Sequence, residues 1–130
     1  MIKRFDECDR MSQIIVFDKY FKTAGQVAFE PSGDIKKQTK EALAELDALF
    51  EKIGANKGDL IQIQIWLANM QDFDAMNEIY DAWIKNYPKP VRACVGSALA
   101  EGYLVEIQAF GKLRENKNSL LQILKAQIPK

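Results

Sequence analysis

The chain is predicted to fold as an α+β domain, a sheet with two helices packed on one face. Three observations predict it. Two long segments repeat apolar residues at helical spacing, several short ones alternate apolar with polar residues, and Gly, Pro or Asp punctuates the joins. Their order is β-β-α-β-α-β-β, with a possible further strand over Ile2 to Phe5 at the start and a tail helix at the end.

Ile14 to Phe17 and Tyr20 to Thr23 are short apolar runs around Asp18-Lys19, a hairpin with a polar two-residue turn. Glu30-Pro31-Ser32-Gly33-Asp34 is loop chemistry. The first helix is expected from about Asp34 to Ile53, with Ile35, Ala42, Leu43, Leu46, Leu49, Phe50 and Ile53 on one stripe. Ser32 or Asp34 is placed to cap its start, and Gly54 follows its last apolar residue. From Leu60 to Leu67, Ile61, Ile63, Ile65 and Leu67 alternate with Gln62, Gln64 and Trp66, the period of a strand. Asp72 is placed to cap a second helix from Phe73 to about Tyr87, striped by Met76, Ile79, Tyr80, Trp83 and Ile84 and stopped by Pro88 and Pro90. Strands are expected from Val91 to about Ser97 and from Tyr103 to Phe110, and Leu120, Leu121, Ile123 and Leu124 suggest a tail helix from about Asn116 to Gln127. Strands joined across a helix should run parallel.

The 130 residues suit one domain with a core of its own, and the composition, 48% hydrophobic and 28% charged, is that of a globular protein. Lys+Arg and Asp+Glu both number 18, so no global field draws the chain to nucleic acid or to an anionic membrane. Short lysine clusters such as Lys36, Lys37 and Lys40 are the nearest approach to a basic patch. Charges occupy the N-terminus where a signal peptide needs an apolar run, and no stretch approaches the roughly 18 apolar residues of a membrane span. Two cysteines, Cys8 and Cys94, make no disulfide framework and are read as reduced thiols, so a cytoplasmic location is expected. The chain has no histidine. Ser-His and Cys-His nucleophilic pairs and histidine-ligated zinc are therefore excluded within one copy. Chemistry must rest on carboxylates, Arg, Lys, a thiol, tyrosines, backbone groups or water.

Two strands carry polar residues on one face, Gln62 and Gln64 on one and Glu106 and Gln108 on the other, together with Trp66, Leu104 and Phe110. Two helices can cover only the opposite, apolar face. A sheet face mixing glutamines with aromatics suits an interface with trapped water, so a homo-oligomer is expected; a solvated face with scattered apolar residues is the plainer alternative.

Pro90-Val91-Arg92-Ala93-Cys94-Val95 is the most suggestive segment. Pro90 fixes the entry to a strand, Arg92 and Cys94 share one face, and the planar fork of an arginine there matches a carboxylate. Taken alone, a solvated or structural arginine is the commoner case. Glu106 stands mid-strand, where it would serve as a base, orient water, or simply be an outward polar residue. Cys94 admits roles as nucleophile, metal ligand or small core residue, and without histidine to activate it, packing or lining a pocket is favoured. Asn77 sits among apolar helix positions, capping backbone or reaching a ligand; Gly25 ends a strand and permits close backbone approach. Trp66, Trp83 and Tyr87 are read as core. No phosphate loop, dinucleotide fingerprint or paired-metal motif is present.

Jointly, Thr23-Ala24-Gly25-Gln26, Gly54 to Asp59 leading into the Leu60 strand, Asp72-Phe73 with Asn77, Pro90 to Val95, and Val105-Glu106-Ile107-Gln108-Ala109 resemble the Rid (reactive intermediate deaminase, YjgF-like) family over about residues 2 to 112. The resemblance implies a chorismate-mutase-like fold for a single domain of residues 1–112, leaving 113–130 as a C-terminal helical extension. It implies a homotrimer with ligand sites in the clefts between subunits. It also implies a deaminase of 2-aminoacrylate-type enamines and their imine tautomers, giving a 2-keto acid and ammonia. By resemblance, Arg92 pairs with the substrate carboxylate, Cys94 and Asn77 lie beside the ligand, Gly25 faces it with backbone, and Glu106 positions the water. Two residues depart from the family pattern: Met11 stands where many members have a tyrosine, and Ala24 where serine is common.

Water adds readily to an oriented imine, so positioning plus acid–base help suffices, and neither metal nor organic cofactor is expected. The alternatives are a non-catalytic trimer that binds small carboxylates and a protein-interaction module that uses the tail. Ribonuclease activity, suggested for relatives, fits poorly with a chain lacking histidine and a basic groove.

Overall fold

The structure, a computed structural model, describes residues 1–114 and residue 125. The tail helix expected from about Asn116 to Gln127 lies outside the described residues. The elements are β1 (Ile2–Phe5), β2 (Ile14–Phe17), β3 (Tyr20–Thr23), α1 (Ile35–Lys52), β4 (Leu60–Leu67), α2 (Phe73–Ile84), β5 (Val91–Gly96) and β6 (Val105–Lys112). The expected order is present, and so is the N-terminal strand. The six strands form one sheet in the order β1-β2-β3-β6-β4-β5. This is the α+β, chorismate-mutase-like architecture.

β4 and β5, joined through α2, pair in parallel. β3 and β4, joined across α1, also run parallel, but β6 is inserted between them and is antiparallel to both. The β2–β3 turn places Asp18 and Lys19 at φ 48° and 70°, the left-handed pair of a tight hairpin whose twist matches its strands.

Residues Ile63, Ile65 and Leu67 of β4 and Val105, Ile107 and Ala109 of β6 are all buried beneath the helices. From α1, Ala42, Leu43, Leu46 and Phe50 close on them, and from α2, Met76, Tyr80 and Ile84. Asp34 caps α1, its carboxylate accepting from the Lys37 N–H at 2.8 Å. Gln38, fully buried, donates to the Gly33 and Gly102 carbonyls and accepts from the Leu104 N–H at 2.8 Å, tying two loops to the helix. The core continues past Lys112, since Leu113 is buried and Arg114 pairs with the buried Asp59 at 2.8 Å.

Four local expectations are corrected. Ile61 is exposed, because the β4–β6 register shifts between Leu60 and Gln62 and hands the inward position to Leu60. Asp72 makes no side-chain cap; it closes a 3-10 turn over Met70–Asp72 that Asn69 caps, and α2 starts from that turn. α2 ends at Ile84, so Tyr87 packs from the loop beyond it. The last strand is shifted two residues later than the expected Tyr103 to Phe110.

Candidate functional site: an oriented arginine and an opposed glutamate

Pairing decides which face each candidate residue takes. On β5, Arg92 lies beside Ile63 and Cys94 beside Ile65, so both point to the helix-covered face. Arg92 sits on the edge strand of the sheet, against one face of α2, and is half-buried. Its Nη1 donates to Asn77 Oδ1 at 2.6 Å. Its guanidinium lies 4.8 Å from the Tyr80 ring centroid and 5.8 Å from that of Phe73. Phe73, Asn77 and Tyr80 fall one and two turns apart on one face of α2, so a single helix face orients the arginine. No described carboxylate forms an ion pair with Arg92. Its charge is partly dried and held in place.

Beside Arg92 opens a concavity of about 480 Å³ lined by Asn77, Tyr80, Asp81, Ile84, Lys85, Lys89 and Pro90. Cys94 is half-buried, and burial raises its thiol pKa above the ordinary value despite the nearby Arg92 charge. A protonated thiol is a poor nucleophile and a compact lining group. Burial likewise raises the Tyr80 phenol, which stays neutral.

Glu106 lies beside Trp66 on the opposite, uncovered face of the sheet. It is half-exposed, and its carboxylate makes no hydrogen bond or ion pair with any described residue. Gly25 meets it there: a β-carbon on Gly25 would fall inside the Glu106 carboxylate, so any side chain at 25 would displace the glutamate from its present position. The neighbouring loop is fastened to this side, with Gln13 accepting from the Ala24 N–H at 2.8 Å and from Gln26 Nε2 at 2.9 Å. Met11 on that loop is 41% exposed and brings no hydrogen-bond donor from its side chain.

The five residues singled out from the sequence therefore fall into two groups within one copy. Arg92, Asn77 and Cys94 gather on the helix side of β5, while Gly25 and Glu106 meet on the open side. The two groups do not face one another inside a single chain. Tyr80, read only as part of the apolar stripe, and Phe73 also flank the arginine; their helical spacing with Asn77 is the signal that links them to it.

The open face carries Gln62, Gln64, Trp66, Gln108 and Phe110, and a shallow depression of about 200 Å³ between them reaches Lys22. Trp66, which alternation puts on this face although it is also read as core, is half-exposed here. Val91 and Val95 extend the surface at 67% and 45% exposure. Among the described residues no helix is long and apolar enough to cross a membrane, and no cluster of three or more His, Cys, Asp or Glu could hold a metal ion.

Comparison with known proteins accords with this geometry. The profile of the family described as Endoribonuclease L-PSP matches residues 1–112. A RutC family protein from Haemophilus ducreyi is 33% identical over 108 residues, 82% of this chain and 92% of that protein. The RutC family protein YoaB of Escherichia coli is 36% identical over 108 residues, covering 82% and 94%. A crystal structure of a YjgF family member from Neisseria meningitidis superposes with a TM-score of 0.85 at 28% identity, over 89% of this chain and 98% of that one. The chain belongs to the Endoribonuclease L-PSP family, within the YjgF/Rid superfamily.

Proposed function

We propose that the protein is a hydrolytic deaminase of reactive enamine and imine intermediates of the 2-aminoacrylate type. It works as a homotrimer whose sites lie where two copies meet. Arg92, Asn77 and Cys94 of one copy face Gly25 and Glu106 of the next. The observation that carries this reading is Arg92 itself, half-buried, fixed by Asn77, Tyr80 and Phe73, and lacking a carboxylate partner among the described residues. A dried guanidinium without a counter-ion is costly unless an anion completes it. The uncovered face of glutamines, Trp66 and exposed valines supports the assembly. Free, unbridged thiols fit a cytoplasmic setting.

The chemistry needs little from the protein. The enamine tautomerises to an imine, and the C=N carbon is electrophilic. Arg92 holds the carboxylate and fixes that carbon beside a water. Glu106 takes a proton from the water as its oxygen bonds to carbon and passes it to the imine nitrogen, giving a carbinolamine; it then takes the hydroxyl proton and passes it to the amine as the C–N bond breaks and the C=O bond forms. Imine plus water gives a 2-keto acid plus ammonia. Acid–base help of this kind contributes roughly 10²–10⁴-fold. Cys94 and Tyr80, both neutral, line the site without sharing electrons.

Arg92→Ala is expected to fold and to lose at least about 100-fold in rate, because an interfacial charge partner is removed. A coupled assay with freshly generated 2-aminoacrylate reads this, and an unchanged rate would refute the role of Arg92. The Met11 side chain, which cannot donate a hydrogen bond, favours a second reading, capture of small carboxylates without turnover. Binding of a keto acid with no ammonia release from any imine would select it.

A further inference from the structure

Arg92 occupies only one end of its concavity. The volume of about 480 Å³ is several times the size of a three-carbon acid and falls within the ordinary range of ligand pockets. Its charged lining is three cations, Lys85, Lys89 and Arg92, against one carboxylate, Asp81, an excess of two positive charges. A monocarboxylate leaves one of these uncompensated, and a dicarboxylate neutralises both.

The two lysines differ in how they are held. Lys89 Nζ donates to the Ile84, Lys85 and Tyr87 carbonyls at 3.3, 3.2 and 2.5 Å. All three of its donors are spent on the C-terminal end of α2, so it contributes field rather than contact. The Lys85 side chain makes no hydrogen bond or ion pair with any described residue. Asp81 precedes it by one helical turn and lines the same concavity, yet the two do not pair. Lys85 is thus the cation with donors to offer, and Tyr80, Ile84 and Pro90 supply apolar surface among the charges.

We propose that this concavity selects imines with a dicarboxylic skeleton, Arg92 holding the carboxylate next to the C=N carbon and Lys85 the distal one. This rests on the reading of Arg92 as the carboxylate-holding residue.

The test is calorimetric titration of the full chain with pyruvate and with 2-oxoglutarate, stable keto acids with one and two carboxylates. The wild type is expected to bind 2-oxoglutarate about fivefold more tightly, the upper end for an exposed charge pair. Lys85→Gln should bring the ratio of affinities toward one, and added salt should shrink the wild-type ratio. Equal affinities in the wild type, or a preference that Lys85→Gln leaves intact, would overturn the proposal. Arg92→Ala separates it from the reading beneath it. Loss of both acids in that variant alongside a wild-type ratio of one keeps Arg92 and removes Lys85. Undiminished binding of both acids in Arg92→Ala, or binding of neither by the wild type, overturns both.

Discussion

The two faces of this sheet are built for different purposes, and neighbouring residues show it. Ile65 is fully buried beneath the helices, whereas Trp66, the next residue, stands half-exposed among glutamines. The covered face is aliphatic and closed by α1 and α2, with Gln38 satisfying the loop groups that approach it. The open face holds a glutamate without a described partner, and the edge of the covered face holds an arginine without a described carboxylate. One face closes within a single copy. The other is left with polar and aromatic groups that a second copy would complete.

Substitutions on the two faces should therefore fail differently. Ile65→Ala opens a cavity in the closed layer and is expected to cost about 2–5 kcal/mol in urea unfolding at fixed protein concentration. A loss below about 1 kcal/mol would mean the core had collapsed around the site or was never tightly packed there. Trp66→Ala should instead weaken assembly, by about 2 kcal/mol for an aromatic anchor, and shift the sedimentation profile toward monomer while far-ultraviolet dichroism stays native. Sedimentation unchanged from wild type would show that the open face faces solvent.

The smallest effect concerns a group outside both faces. Asp47 on α1 accepts from Trp83 Nε1 at 3.0 and 3.2 Å. Burial raises its pKa above the ordinary 3.8, against the opposing pull of that bond and of Lys57. A raised acid pKa means that the folded state holds the proton more tightly. The associated stability is full below 3.8 and is lost as pH climbs through the raised value. Asp47→Asn keeps an acceptor for Trp83 and should remove that slope above pH 3.8. Screening at this half-exposed site holds the difference below about 1 kcal/mol. A wild-type slope that survives the substitution would assign it to another group.

Much of the fold was legible in the sequence because local pattern dictates it. The α1 stripe from Ile35 to Ile53, the Asp18-Lys19 turn and the alternation of Arg92 with Ala93 depend only on neighbours along the chain. What depended on distant partners was not legible. Ile61 reads as inward until the pairing with β6 shifts the register and puts Leu60 in its place. The insertion of β6 between β3 and β4 has no local signal. The site divides in the same way. Arg92, Asn77 and Cys94 could be named from their segments, and Arg92 and Cys94 placed on one face. Only strand pairing shows that this face is opposite to the one carrying Glu106. The stacking of Tyr80 on Arg92 was hidden because an aromatic residue on an apolar stripe looks like core, and Tyr80, at 5% exposure, is core as well.

The division between faces makes a sharp demand on the proposed function: Arg92 and Glu106 would act together only if they came from different copies. Arg92→Ala and Glu106→Gln proteins, each inactive alone, can be unfolded together, refolded as a mixture and assayed on 2-aminoacrylate. Random assortment gives an intact Arg92–Glu106 pair at about one quarter of the inter-copy sites, so recovery of about one quarter of wild-type activity is expected. A refolded mixture as silent as either parent would contradict a site shared between copies.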